Sequence, residues 1–127
     1  MKLAPALMFI GCRSETRDRL YPEEIDEWVR QGVVDVRYAF SKEKINSEGC
    51  KYISDRMVHD SDSILNLWRQ GARVYVCGSR HVAESVKEAT GAIVRDVVKD
   101  MDEVEMKKTV LKFQEDIKLR AASDIFD

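Results

Sequence analysis

The chain has 127 residues, 44% of them apolar and 35% charged, with 21 Lys+Arg against 23 Asp+Glu and a net charge of −2. That is one domain's worth of polypeptide, enough for one core. It is not a disordered tail, and no apolar run reaches the ~18 residues of a spanning helix. The charge balance sets up no global field for nucleic acid, so any anion site must be local.

The first predicted element is a strand over Ala6-Leu7-Met8-Phe9-Ile10. It shows no alternation, as expected of a strand covered on both faces. Pro22 then suits a first helical turn, and Glu23, Glu24 and Asp26 suit the positive end of the helix dipole. Ile25, Trp28 and Val29 form its inward stripe, and Gly32 closes it. A second strand covers residues 33–40, followed by a polar loop over residues 41–49. A helix follows over 52–59. Asp60-Ser61-Asp62-Ser63 breaks it and caps a third helix, with Ile64, Leu65 and Trp68 inward and Gly71 as its stop. Arg73-Val74-Tyr75-Val76-Cys77 reads as the third strand. Ser79 caps a helix carrying Val82, Val86, Ala89, Ile93 and Val97, weakened at Gly91 by about 1 kcal/mol relative to Ala. Asp102 starts a last helix with Val104, Leu111 and Ile117 inward. The tail, residues 123–127, is a short strand or coil. Strands alternating with helices define an α/β class with a parallel sheet flanked by helices in three layers.

The three cysteines, Cys12, Cys50 and Cys77, are odd in number and widely spaced, which fits a reducing cytoplasmic setting rather than a disulfide framework. No Cys or His pair has zinc-ligand spacing, so no metal is expected. There is no G-x-G-x-x-G and no Walker-type loop. In open α/β sheets ligands bind beyond the carboxyl ends of the strands. Those ends here are Gly11-Cys12-Arg13-Ser14, Phe40-Ser41-Lys42 and Cys77-Gly78-Ser79-Arg80. Each carries a hydroxyl and a cation, the chemistry of a phosphate site. The plain alternative is that they are solvated turns. Cys77 could be a nucleophile, a redox thiol, a polarising contact or a small hydrophobe at a strand end. Cys12 and Cys50 read as structural, His59 and His81 as solvated helix residues.

Several motifs, in order, resemble the diflavin reductases. Gly11-Cys12-Arg13-Ser14 with Asp18-Arg19-Leu20-Tyr21-Pro22-Glu23-Glu24 looks like their "GCR…DxLYxEE". Ala39-Phe40-Ser41-Lys42 resembles "AFSR", Val74-Tyr75-Val76-Cys77-Gly78 resembles "YxCG", and Ser123-Asp124-Ile125-Phe126 resembles "xDVW" or "xDVF". The version here is most similar to the reductase half of fungal fusions that join a cytochrome P-450 to its reductase. The resemblance spans nearly the whole chain. It implies the NADP(H)-binding lobe, of ferredoxin–NADP reductase type, of a flavoprotein that passes hydride from NADPH to FAD, and electrons thence through FMN to a haem monooxygenase.

The resemblance also implies roles. Arg13 would contact the dinucleotide phosphates. Ser41 and Lys42 would bind the adenosine 2′-phosphate, with Lys42 replacing the family's arginine and losing its bidentate fork. Tyr52 would stack on adenine or help hold that phosphate. Cys50 and Ser54 stand where the family often has Lys and Gln, and Lys51 would supply the displaced cation. Cys77, followed by Gly78, would lie beside the nicotinamide carbon that releases hydride. Asp124 would stabilise the charge that develops there, and Phe126 would stack on the FAD ring.

The FAD, FMN and haem domains would lie upstream, on the same or a companion chain. The family's opening strand and "GTGIAP"-like loop have no counterpart in the 127 residues, so the expected sheet is two half-sheets with unpaired edges, and a chain on its own only marginally stable. Two other readings compete. Val34-Asp35-Val36-Arg37 resembles the "VDVR" of rhodanese-like sulfurtransferases, although Cys77-Gly78-Ser79-Arg80 does not match their C-x-x-G-x-R loop. The other is a degenerate, non-catalytic α/β module that binds a partner through a sheet edge.

Overall fold

The structure, a computed structural model, describes residues 3–125. The elements run β1 (Leu7–Cys12), α1 (Pro22–Arg30), β2 (Asp35–Phe40), a 3₁₀ turn (Lys44–Ser47), α2 (Ile53–His59), α3 (Ser61–Arg69), β3 (Val74–Gly78), α4 (Arg80–Val98), α5 (Glu103–Arg120) and β4 (Ala121–Ile125). This is the predicted α/β alternation. The chain divides into two compact units, one up to Asp60 and one from Ser61. Each holds its own sheet of two parallel strands, β1–β2 in the first and β3–β4 in the second. A single continuous sheet is therefore not what the described strands form.

In the first unit β1 and β2 pair from Leu7↔Asp35 to Cys12↔Phe40. The ladder carries past β2, because Ser41 N–H donates to Cys12 O at 2.9 Å and Lys42 N–H to Arg13 O at 2.8 Å. Ile25, Ala39, Phe40 and Cys50 are the buried apolar residues of this unit. Burying Phe40 alone contributes about 2 kcal/mol. Gly11 lies where an added Cβ would meet Ile53 Cγ1 at 3.1 Å, so the missing side chain lets the start of α2 pack on the end of β1.

In the second unit Arg120 locks α5 to α3. Its Nε donates to Ala72 O at 2.9 Å and its Nη2 to Trp68 O at 2.5 Å. Its guanidinium lies 3.5 Å from the Trp68 ring centroid. Trp68 also stacks on Phe113 at 6.1 Å. These contacts set down the chain at Ala121, opposite Val74, and β4 follows. Ser79 and Asp102 cap α4 and α5 as expected, accepting from Val82 N–H at 3.3 Å and Glu105 N–H at 2.8 Å.

Several expectations are corrected. Of the α1 stripe only Ile25 is buried, while Trp28 and Val29 are largely exposed, because a two-stranded sheet is narrower than the stripe. Met8, Val74 and Tyr75 are also exposed, Tyr75 by 76%. On α5, Val104 and Leu111 face outward, and Phe113 makes the aromatic contact. The break between α2 and α3 is the single residue Asp60. Its carboxylate is held by Arg37 and Arg56. The tail pairs as a strand, although every residue of β4 is exposed.

Gly91 sits inside α4, and a Cβ there would touch only the flexible end of Arg95, at 3.3 Å. Gly91→Ala should therefore stabilise the chain by about 0.5–1 kcal/mol. Urea denaturation monitored by circular dichroism checks this. An unchanged or lower midpoint would contradict it.

Candidate functional site

The first unit gathers most of the expected residues. The two extra rungs beyond β1–β2 put Arg13 beside Ser41 and Lys42 at the carboxyl end of the sheet. The Arg13 and Lys42 side chains are exposed, and Ser41 is half-buried. Arg13 has an anionic neighbour already. Its N–H donates to Asp18 Oδ1 at 3.1 Å, and its Nε lies 3.7 Å from Asp18 Oδ2. At this exposure the pair is easily exchanged for another anion.

Lys51 and Tyr52 enter α2. Asp55 accepts from the Tyr52 N–H at 3.0 Å. The Lys51 ammonium lies 5.3 Å from the Tyr52 ring centroid, so one face of the ring carries a cation. Tyr52 itself is exposed, and Ser54 is half-buried on the first turn of α2. Of the hydroxyls expected at strand ends, only Ser41 is not taken up by local structure. Ser14 is 3% exposed and accepts from Arg17 N–H, while Ser79 is the α4 cap.

The second unit holds Cys77, Gly78 and Asp124. Cys77 is exposed on β3 and lies in register with Asp124 on β4, so both point to one face of that sheet. Gly78, at φ 150°, occupies a conformation that side chains avoid, and a Cβ there would press on Val82 at 3.3 Å. The strand thus turns directly from Cys77 into α4. Phe126 lies outside the described residues.

Of the other two cysteines, Cys50 is buried and Cys12 half-buried. Burial pushes the Cys12 thiol up, helped by Asp18 and Glu43 against Arg19. Burial likewise raises Cys50. Both therefore stay protonated and unreactive at neutral pH. Among the described residues no cluster has the make-up of a metal site. No helix there is long and apolar enough to cross a membrane.

Three features escaped the sequence reading. Ser47, 0% exposed, folds the 41–50 loop back on β2. Arg19 donates to Asp26 at 2.7 Å and to Tyr38 Oη at 2.9 Å, with its guanidinium 4.9 Å from the Tyr38 ring centroid. Asp60 collects Arg56 at 2.8 Å, Arg37 at 3.1 Å and His59 Nδ1 at 2.7 Å. His59 is therefore a partner in this cluster, not merely a solvated residue. Arg56–Asp60 is an i,i+4 helical pair that the spacing could have shown, whereas the Arg37–Asp60 and Arg19–Tyr38 contacts come together only through the fold. The Asp35 and Arg37 of the "VDVR" segment pair with each other at 2.9 Å, and Arg37 completes the Asp60 cluster. That gives the segment a structural use.

A parallel α/β fold with hydroxyl and cationic groups at its strand ends has the make-up of an anion-binding module. The sequence profile of the oxidoreductase NAD-binding domain matches residues 3–88, and the chain belongs to that family. It is 39% identical over 133 aligned residues to a bifunctional cytochrome P-450/NADPH–P-450 reductase of Fusarium oxysporum, covering 98% of this chain and 12% of that protein. A self-sufficient cytochrome P-450 monooxygenase of Phanerodontia chrysosporium is 40% identical over 96% of this chain and 11% of its own length. A second bifunctional cytochrome P-450/NADPH–P-450 reductase, from Alternaria alternata, is 36% identical over 97% and 11%. The chain thus spans 11–12% of the length of these curated relatives. The resemblance to the reductase part of fungal fusions is met by these matches, and the sulfurtransferase reading is not favoured.

The Asp60 cluster makes a pH prediction. Burial alone would raise the Asp60 carboxyl, but hydrogen bonds from Arg56, His59 and Arg37 outweigh it and hold it below the ordinary 3.8. Its stabilisation is therefore complete above the usual carboxylate range and is lost as pH falls below about 4, through the lowered folded value. Asp60→Ala should cost about 3 kcal/mol at neutral pH and flatten the acid limb of stability. Urea melts at neutral and acid pH test this. A variant as stable as the parent at pH 7 would contradict it.

Proposed function

We propose that the chain is the NADP(H)-binding lobe of an NADPH-dependent flavoprotein reductase. In this reading residues 1–127 form one oxidoreductase NAD(P)-binding domain with a three-layer parallel sheet. Its companions are an FAD lobe and, beyond it, FMN and haem domains, on the same chain or another. The open edges of both two-stranded sheets support this.

The observation that carries the reading is the rung-by-rung placement of Arg13, Ser41 and Lys42 at one sheet end. Those groups fit a dinucleotide carrying an extra phosphate. Lys42 supplies a point charge, Ser41 an O–H donor, and Arg13 a guanidinium for the remaining phosphates. Tyr52 offers a flat face to adenine, with Lys51 on the ring's other side. Ser54 borders this site from the first turn of α2. Bound here, NADPH would supply hydride chemistry toward a flavin. Cys77 holds the position beside the hydride-bearing carbon, Gly78 allows close approach, and the in-register Asp124 carboxylate balances the charge that develops. By the resemblance Phe126, which lies outside the described residues, would be the one to stack on the flavin. Transfer onward to a haem monooxygenase completes the reading, in keeping with the names of the relatives.

Isothermal titration of the chain with 2′,5′-ADP and with 5′-AMP tests it. The first should bind at least about tenfold more tightly, and Ser41→Ala/Lys42→Ala should erase the difference. Equal binding of the two would overturn NADP(H) recognition at this site.

A further inference from the structure

The loop between Ser41-Lys42 and Lys51-Tyr52 is closed by one buried hydroxyl. Ser47 Oγ accepts from the Phe40 N–H at 3.0 Å and donates to the Cys50 carbonyl at 2.7 Å, with the Lys44 carbonyl also in reach at 3.3 Å. Phe40 directly precedes Ser41, and Cys50 directly precedes Lys51. The hydroxyl therefore joins the two ends of the loop immediately before each of the two residue pairs. Around it, Cys50 N–H donates to Ser47 O at 2.9 Å and Gly49 N–H to Lys44 O at 2.8 Å, while Phe40 and Cys50 are buried.

We propose that Ser47 is a positioning residue that sets selectivity for the 2′-phosphate by holding Ser41-Lys42 and Lys51-Tyr52 on one rigid loop neck. The proposal rests on the NADP(H) reading of that site. Ser47 touches no ligand itself. A buried hydroxyl bridging a donor and an acceptor from opposite ends of a loop has no substitute in water, because the site is closed to solvent. Without it the Phe40 N–H and Cys50 C=O lose their partner, and the neck must open to find another. The cations at its two ends would then be held less closely together, and their joint grip on a doubly charged group weakens.

The test is titration of the chain and of Ser47→Ala with 2′,5′-ADP and with 5′-AMP. The expected result is a fall of about tenfold in 2′,5′-ADP affinity with 5′-AMP affinity nearly unchanged. A merely structural residue would weaken both ligands together. Gly49→Ala provides a second variant. Its φ of +79° disfavours a side chain, and nothing lies within 4 Å of the added Cβ. It strains the same loop without touching the hydroxyl, and should lower selectivity in the same direction even if Ser47→Ala does not fold. A parent that discriminates between the ligands, with both variants discriminating equally well, would overturn the role of Ser47 alone. A parent that does not discriminate would overturn the NADP(H) reading beneath it.

Discussion

The first unit depends on the parallel pairing of β1 with β2, and on that pairing continuing for two rungs past Phe40. Parallel strands hold their register only when both carry covered faces, and here the cover is short. Gly11 admits Ile53 against one strand, and Phe40 and Ala39 are buried on the other. From that register everything at the sheet's carboxyl end follows. Arg13 is set beside Lys42, Ser41 lies between strand and loop, and α2 starts close by with Tyr52.

Charge placement is managed the same way. The chain is nearly neutral overall, so an anion site depends on where a few cations are put. Arg37 and Arg56 are committed to Asp60, and Arg19 to Asp26 and Tyr38. These cations hold the unit together and are not offered to a ligand. Lys42 and Lys51 stand on the surface at the two ends of one loop, with Arg13 on the neighbouring strand and only an exposed carboxylate against it.

The strands, the helices and the helix caps were legible because they rest on local signals. Ser79, Asp102 and Pro22 are where short-range rules put them. The candidate site was legible at the strand ends because hydroxyl and cation stand next to each other in sequence. Burial was less so. Trp28, Val104 and Leu111 have the spacing of core residues, yet face outward because periodicity names a face without saying what covers it. Ser47 and Asp60 were less legible still. A serine in a polar loop and an aspartate between helices have near neighbours in Cys50 and Arg56, but their more distant partners, Phe40 and Arg37, reach them only through the fold.

In the NADP(H) reading the carboxyl end of β1–β2 recognises the phosphate that distinguishes NADP(H) from NAD(H). Amide chemical shifts of the labelled chain, recorded as 2′,5′-ADP and then 5′-AMP are added, test it most directly. The amides of Arg13, Ser41, Lys42 and Tyr52 should move with 2′,5′-ADP and much less with 5′-AMP. Shifts that leave those four amides still, or that are the same for both ligands, would contradict it.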